Sequence, residues 1–209
     1  MDGMLVIISG PSGSGKGTVV KRLDPKLGYA VSISVTTRKP RDGEVHKRDY
    51  FFITEDEFVA MRTDNALLEH FAYVGNYYGT PRFYVEEQIA KGKIVVLEIE
   101  VNGALQVKEK FPEAVLVFLM PPTLLELQTR LVNRATEDAV TIEARLKRAL
   151  EEIPLIGQYD YLVINDNISE AVDNVNSIVA AERLRPHRNK KVVDDFAGSQ
   201  IKVEHYKLT

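Results

Sequence analysis

Three things are missing or scarce in this sequence: cysteine, long apolar runs and an excess of basic residues. No cysteine is present, which excludes disulfides, thiolate metal sites and thiol catalysis and suits a reducing compartment. The apolar stretches near Ile7, Val96 and Val117 are well short of the roughly 20 residues that a membrane helix needs, and residues 1–3 carry no basic signal segment. The 27 basic and 30 acidic residues give a net charge of −3, which provides no field for holding nucleic acid. We therefore expect a cytoplasmic globular protein with no membrane or nucleic-acid partner.

A glycine-rich segment follows the first apolar stretch, and it contains the pattern G-x-x-x-x-G-K. Glycines let consecutive backbone N–H groups point inward, the helix that follows adds partial positive charge, and the lysine adds a full charge. Gly17 stands where serine or threonine usually follows the lysine, so the hydroxyl comes one residue later, at Thr18. We predict that this segment, the phosphate loop, binds nucleotide phosphates through Gly10, Pro11, Ser12, Gly13, Ser14, Gly15, Lys16, Gly17 and Thr18.

Apolar strands alternate with helical segments through most of the chain, which is the pattern of a doubly wound α/β fold. Near-continuous apolar runs at residues 4–8, 93–100 and 115–120 predict buried parallel strands. The alternation at residues 29–35 predicts one further strand, and a capping box at Thr54 and Glu57 predicts the start of a helix.

The segment from residue 34 to residue 90 has shorter elements and predicts a small mixed subdomain inserted between two strands of the main sheet. We expect a turn at residues 77–79, followed by a helix that Thr80 caps and Pro81 begins. Tyr50 and Tyr78 lie beside turns and are candidate ligand contacts. For most other aromatic residues here, Phe71 among them, a place in the subdomain core is the better interpretation.

Charged residues collect at the ends of several predicted elements. A basic loop follows residue 35, Glu98 and Glu100 end an apolar run, and arginines surround a helical hairpin after residue 123. This combination indicates phosphoryl transfer between two bound nucleotides. An acceptor that is itself a phosphate is already ionised, so the protein needs to position the groups and neutralise charge rather than supply a base.

Five separated motifs resemble those of the guanylate kinase family, nucleoside monophosphate kinases of the P-loop class, over about residues 4–185. They lie, in the order of that family, at residues 10–16, 34–41, 43–52, 75–80 and 159–166. The resemblance implies a three-layer P-loop α/β fold with a mostly parallel central sheet, an inserted GMP-binding subdomain and a helical lid. The implied division is a core of residues 1–33, 91–125 and 150–185, a subdomain of residues 34–90, a lid of residues 126–149, and an extension of uncertain order at residues 186–209.

The resemblance also implies transfer of the γ-phosphoryl group of ATP to GMP with Mg²⁺ as cofactor. Besides the phosphate loop, the implied ATP site includes Asn165, near the adenine. The implied metal ligands are Thr18 and Glu98, which would bind the ion directly or through water. The implied GMP site comprises Ser34, Arg38, Arg41, Tyr50, Glu69, Tyr78, Thr80 and Glu100. The implied catalytic residues are Lys16, Arg38, Arg130, Arg134 and Arg145.

The implied role of Glu69 agrees with the chemistry of guanine. Guanine offers N–H donors at N1 and N2, so one carboxylate can accept two hydrogen bonds. Adenine has an acceptor at N1 and would leave that carboxylate unpaired, which is costly in a buried site.

Two alternatives to GMP phosphorylation remain open from the sequence. One is a non-catalytic interaction module of the same fold, against which the intact loop and Lys16 argue; the other is a kinase of a different monophosphate, against which Glu69 and Thr80 argue. The sequence leaves open whether dGMP is accepted and whether the chain is a monomer or a homo-oligomer. It also leaves open what Ala135 and Asn102 do where relatives commonly carry glycine and glutamine.

Overall fold

The structure, a computed structural model, describes residues 3–23, 27–73, 75–133 and 139–198. Its strands are β1 Met4–Ser9, β2 Tyr29–Val31, β3 Val35–Thr36, β4 Phe51–Phe52, β5 Leu67–Tyr73, β6 Asn76–Pro81, β7 Ile94–Glu98, β8 Val115–Met120 and β9 Tyr161–Ile164. Its helices are α1 Lys16–Arg22, α2 Glu55–Thr63, α3 Arg82–Ala90, α4 Val101–Lys110, α5 Leu124–Asn133, α6 Ala139–Glu152, α7 Ile168–Arg183 and α8 Lys190–Ala197.

Five parallel strands form the main sheet in the order β2-β7-β1-β8-β9. Every residue of the central strand β1 is buried, because helices cover both faces of the sheet. Ile8 packs in the cluster that includes Val19 of α1 and Val175 of α7, whereas Ile7 packs in the cluster that includes Val85 of α3 and Val107 of α4. The predicted fold class, three layers around a mostly parallel sheet, is confirmed.

A second sheet of four strands, in the order β4-β3-β6-β5, follows β2 in the chain. The turn predicted at residues 77–79 is wrong, because this segment lies inside β6, between β3 and β5. Thr80 does not cap a helix: it is buried in β6, and α3 begins at Arg82 with Pro81 as its N-cap. The actual chain reversal is at Gly75, whose φ of 71° suits a glycine.

The strand predicted at residues 29–35 is divided between the two sheets. Tyr29–Val31 pairs with β7 in the main sheet, and Val35–Thr36 pairs with β4 and β6 in the small one. Alternation of apolar and polar residues gives no information about the neighbour of a strand, so the sequence could not locate this crossing. The predicted capping box is confirmed, since the Glu57 N–H donates to Thr54 Oγ1 at 3.2 Å and the Thr54 N–H donates to Glu57 Oε2 at 2.7 Å.

After α7, residues of the C-terminal extension form a 3-10 helix at Pro186–Asn189 and then α8. Arg188 attaches this segment to the body of the protein, because its guanidinium pairs with the buried Glu182 of α7 at 3.2 Å. None of the helices in the described ranges combines the length and apolar character needed to cross a bilayer.

Candidate active site

A cavity of about 590 Å³ lies where β1 and β7 end. Its wall is built from the phosphate loop on one side, the small sheet on another and helix α6 on a third. Carboxyl ends of parallel strands are the usual ligand position in open α/β sheets, and the volume falls in the range of small-molecule sites.

The phosphate loop has the backbone shape that its glycines predicted. Gly10, Gly13 and Gly15 have φ values of 142°, 89° and 92°. A Cβ on Gly10 would lie 2.0 Å from the carbonyl oxygen of Leu119, so only glycine fits there. Lys16 Nζ donates to the carbonyls of Gly10 at 2.7 Å and Pro11 at 3.1 Å, which keeps the ammonium group over the loop.

Asn165 supports the phosphate loop from beneath. It is buried, and its Nδ2 donates to the Ser14 carbonyl at 2.8 Å. Arg130 in turn donates to the Asn165 carbonyl at 2.9 Å and pairs with Glu126 at 2.8 Å. These contacts show a loop-supporting role for both residues, and the contact of Asn165 with adenine stays a prediction.

Gly17 faces the carboxylate at the end of β7. A Cβ at position 17 would lie 3.2 Å from Glu98 Oε1, so a larger residue there would crowd this carboxylate. Glu98 lines the cavity. Thr18 is exposed on α1 and is not part of the cavity wall, so of the two proposed metal ligands only Glu98 faces the cavity.

At the opposite end of the cavity, the Glu69 carboxylate is 2% exposed and accepts a hydrogen bond from Thr80 Oγ1 at 2.7 Å. Burial raises the pKa of this carboxyl to about 7, while the Thr80 hydrogen bond opposes the rise and the negative charge of Glu100 adds to it. Ser34 and Glu100 line the same cavity. Four predicted base-site residues therefore lie at this end. The contact of Thr80 with the site is its hydrogen bond to the Glu69 carboxylate.

Three of the four residues predicted to hold the GMP phosphate lie together. Arg38 pairs with Glu44 at 2.8 Å and lies 5.5 Å from the ring centroid of Tyr50, and the ring centroids of Tyr50 and Tyr78 are 6.2 Å apart. The Glu44 hydrogen bond is the main cause that raises the pKa of Arg38. Arg41 is the exception: its side chain is exposed, and its backbone N–H donates to Glu44 at 2.7 Å.

The predicted lid arginines are on α5 and α6. Arg145 Nη1 donates to Ser12 Oγ at 2.5 Å, which joins α6 to the phosphate loop. Arg130 is on α5 and supports Asn165 as described above. Arg134 and Ala135 lie outside the described residues.

Sequence reasoning missed Arg148, Glu152 and Phe71, all of which line the cavity. Arg148 pairs with Glu100 at 2.5 Å and with Glu152 at 3.0 Å. Its position three residues after Arg145 was a usable signal, since residues three apart share one helix face. Assigning Phe71 to the subdomain core was wrong: it is 40% exposed and stacks on Tyr78 with a centroid separation of 5.4 Å.

Comparison with known proteins identifies the family. The family model described as guanylate kinase matches residues 2–182. The chain is 54% identical over 190 residues to the guanylate kinase of Bacillus subtilis (strain 168), covering 89% of this chain and 92% of the relative. It is 52% identical over 187 residues to the guanylate kinase of Lactococcus lactis subsp. lactis (strain IL1403), covering 89% and 91%.

A solved structure agrees with these sequence comparisons. The crystal structure of guanylate kinase from Anaplasma phagocytophilum has a TM-score of 0.68 to this chain at 32% sequence identity, and the match covers 90% of this chain and 89% of the other. The chain therefore belongs to the guanylate kinase family and is an enzyme, a nucleoside monophosphate kinase.

Proposed function

We propose that the cavity holds the guanine of GMP at Glu69 and the phosphates of ATP in the phosphate loop, so that the γ-phosphoryl group passes to GMP and yields ADP and GDP. One observation carries this assignment. The same cavity is lined at one end by a buried carboxylate suited to a base and at the other by a loop suited to phosphates. Tyr50 and Tyr78 line this cavity as well, and Arg38 lies beside Tyr50, so a second phosphate-bearing nucleotide has contacts of its own besides the loop.

The base end explains the choice of guanine. Ionised Glu69 accepts from N1–H and N2–H of guanine, while Thr80 occupies Oε1 of the same carboxylate and limits its orientation. Adenine in this position would leave a buried charge without donors, which we expect to lower kcat/KM by some orders of magnitude.

The phosphate end provides positive charge. Lys16 donates toward the β- and γ-phosphates of ATP once it exchanges its two loop carbonyls for phosphate oxygens. Arg38, with Tyr50 and Tyr78 beside it, holds the phosphate of GMP. Arg145 contacts the phosphate loop, and Arg130 contacts Asn165 beneath it. We propose that both arginines, together with Arg134, neutralise negative charge on the phosphoryl group during its transfer.

Kinases of this kind act on ATP together with a divalent metal ion, and we propose Mg²⁺. The Glu98 carboxylate fits this ion, because Mg²⁺ in phosphoryl-transfer sites takes hard oxygen ligands, usually one or two carboxylates with the substrate phosphates. When bound, the ion would neutralise charge on the phosphates of ATP. Glu98 would hold it directly or through water, and Thr18 remains a weaker candidate because its side chain is outside the cavity wall.

We further propose that residues 34–90 act as a GMP-binding unit and residues 126–149 as a lid, both moving relative to the core of residues 1–33, 91–125 and 150–185. Closure would exclude water, which otherwise accepts the phosphoryl group from ATP. The soluble substrates and the absence of cysteine support a cytoplasmic location.

The test is ADP formation from ATP and Mg²⁺ with GMP, dGMP, AMP, CMP, UMP or dTMP as acceptor. We expect turnover with GMP and at most dGMP. Lys16→Met should lower kcat by about 100-fold or more, whereas Lys21→Met, an exposed lysine on the same helix, should change it less than twofold. Glu69→Gln should lower kcat/KM for GMP by about 100-fold.

Two results would contradict the proposal in different ways. Preferred turnover with another monophosphate would refute the base assignment and leave the kinase reaction in place. Folded protein that binds GMP and transfers no phosphoryl group to any acceptor would support the interaction-module alternative.

A further inference from the structure

Helix α6 contacts both ends of the cavity through two arginines on one face. Arg145 donates to Ser12 in the phosphate loop, and Arg148, three residues later, pairs with Glu100 near the base end. Residues three apart on a helix lie side by side. The same rigid element therefore contacts the donor side and the acceptor side of the reaction.

Arg148 also forms part of the boundary of the base site. It lines the main cavity and two smaller cavities of about 460 and 270 Å³, the smaller of which is also lined by Glu69 and Glu100. The guanidinium and the Glu100 carboxylate are 2.5 Å apart at their nearest atoms, and both residues line the main cavity and the smallest one. Their pairing therefore limits how far Glu100 can swing away from the main cavity.

The charges around Arg148 give it a second effect. Four carboxylates, those of Glu69, Glu98, Glu100 and Glu152, line the main cavity. Arg148 pairs with two of them, Glu100 and Glu152. The negative charge of Glu100 repels that of ionised Glu69 and so disfavours the ionised form. This form has to accept hydrogen bonds from two N–H groups of guanine. The guanidinium on Glu100 offsets that repulsion and uses Oε2 only, so that Oε1 stays available to the base.

We propose that Arg148 is a positioning residue for GMP, which fixes the Glu100 carboxylate at the guanine end of the cavity and offsets its charge beside Glu69. The inference rests on the proposed function, since it assumes that guanine binds at Glu69 and Glu100. It assigns Arg148 no contact with the reacting atoms, and it distinguishes Arg148 from Arg145, whose contact is with the phosphate loop.

The test compares steady-state constants of the intact chain with those of Arg148→Met, Arg148→Lys and Lys147→Met. Lys147→Met removes one charge from the neighbouring position of the same helix and serves as the control. Because the Arg148 and Glu100 side chains are 50% and 53% exposed, their pairing is partly screened, and we expect Arg148→Met to raise KM for GMP about fivefold. KM for ATP should change less than twofold, Arg148→Lys should recover most of the effect, and Lys147→Met should match the unmodified chain.

A double-mutant cycle with Glu100→Gln tests whether Arg148 acts through Glu100. If it does, Arg148→Met in the Glu100→Gln background should raise KM for GMP less than twofold further. Independent effects that multiply would overturn the inference, as would an unchanged or lowered KM for GMP in Arg148→Met, or an equal rise in KM for ATP. Melting temperatures of all variants separate these results from misfolding, and loss of GMP-dependent turnover in the unmodified chain would refute the proposed function itself.

Discussion

The buried Glu69 carboxyl predicts that GMP affinity and protein stability respond to pH in opposite directions. Its pKa is raised from 4.5 to about 7, chiefly by burial. Near neutrality a large fraction of Glu69 is therefore protonated in the free protein. Guanine needs the ionised form, because a protonated carboxyl offers one acceptor oxygen less to two N–H donors.

The magnitude for binding follows from the fraction ionised. With a pKa of about 7, the ionised fraction falls about tenfold from pH 8 to pH 6, so GMP affinity should fall about tenfold over that interval. Binding at pH 7 should release about half a proton. The phosphate of GMP also titrates within this pH interval, near pH 6. Glu69→Gln lacks the carboxyl but binds the same ligand phosphate, so it is the control that separates the two contributions.

The magnitude for stability has the opposite sign. A folded-state pKa above the unfolded value means that the folded state holds its proton more tightly, so raising the pH from about 4.5 to above 7 destabilises the fold. The rise to about 7 in a group that is almost fully buried corresponds to about 3 kcal/mol. The free energy of unfolding of the unmodified chain, relative to Glu69→Gln, should therefore decrease by up to about 3 kcal/mol between pH 4.5 and pH 8.

Calorimetric GMP titrations at pH 6, 7 and 8, in two buffers of different ionisation enthalpy, measure both affinity and proton release. Urea unfolding over the same pH range measures stability. The reasoning is refuted if GMP affinity of Glu69→Gln depends on pH as strongly as that of the unmodified chain. It is also refuted if the unmodified chain becomes more stable relative to Glu69→Gln as the pH rises.

Two further predictions concern stability. Gly10→Ala should lower the free energy of unfolding in urea by about 3 kcal/mol or more, because φ is 142° and the added Cβ would lie 2.0 Å from the Leu119 carbonyl. Gly157→Ala, with nothing within 4 Å of the added Cβ, should change it by less than about 0.5 kcal/mol. Equal losses of stability in the two variants would contradict the view that only glycine fits at position 10. Arg188→Ala should cost about 2 kcal/mol, because it removes a partner of Glu182, which is 2% exposed. Arg48→Ala, at an ion pair whose side chains are 63% and 36% exposed, should cost under about 1 kcal/mol. Glu182 also pairs with Arg185 at 2.9 Å and accepts a hydrogen bond from the Tyr161 hydroxyl at 2.7 Å, so an Arg188→Ala protein of unchanged stability would show that these two partners are sufficient.

Local features of the sequence were sufficient for the phosphate loop, the buried strands and the capping box at Thr54. Each depends on residues within a few positions of one another: glycines that permit positive φ, apolar residues that are buried on both faces, and a side chain that meets an N–H three residues away. The resemblance carried by the five motifs then supplied the family, which the comparisons confirm.

Features that depend on residues far apart in the chain were determined only by the tertiary structure. Residues 77–79 read locally as a turn, yet β3 and β5 pair with both edges of this segment and hold it extended. Phe71 reads as core, yet it faces the cavity because its strand partner is Tyr78. Arg148 and Glu100 are separated by 48 positions in the chain, and Glu69 owes its raised pKa to burial by surrounding elements. No periodicity records such pairings, because hydrogen bonding between strands and the desolvation of a carboxylate depend on which segments the fold brings together.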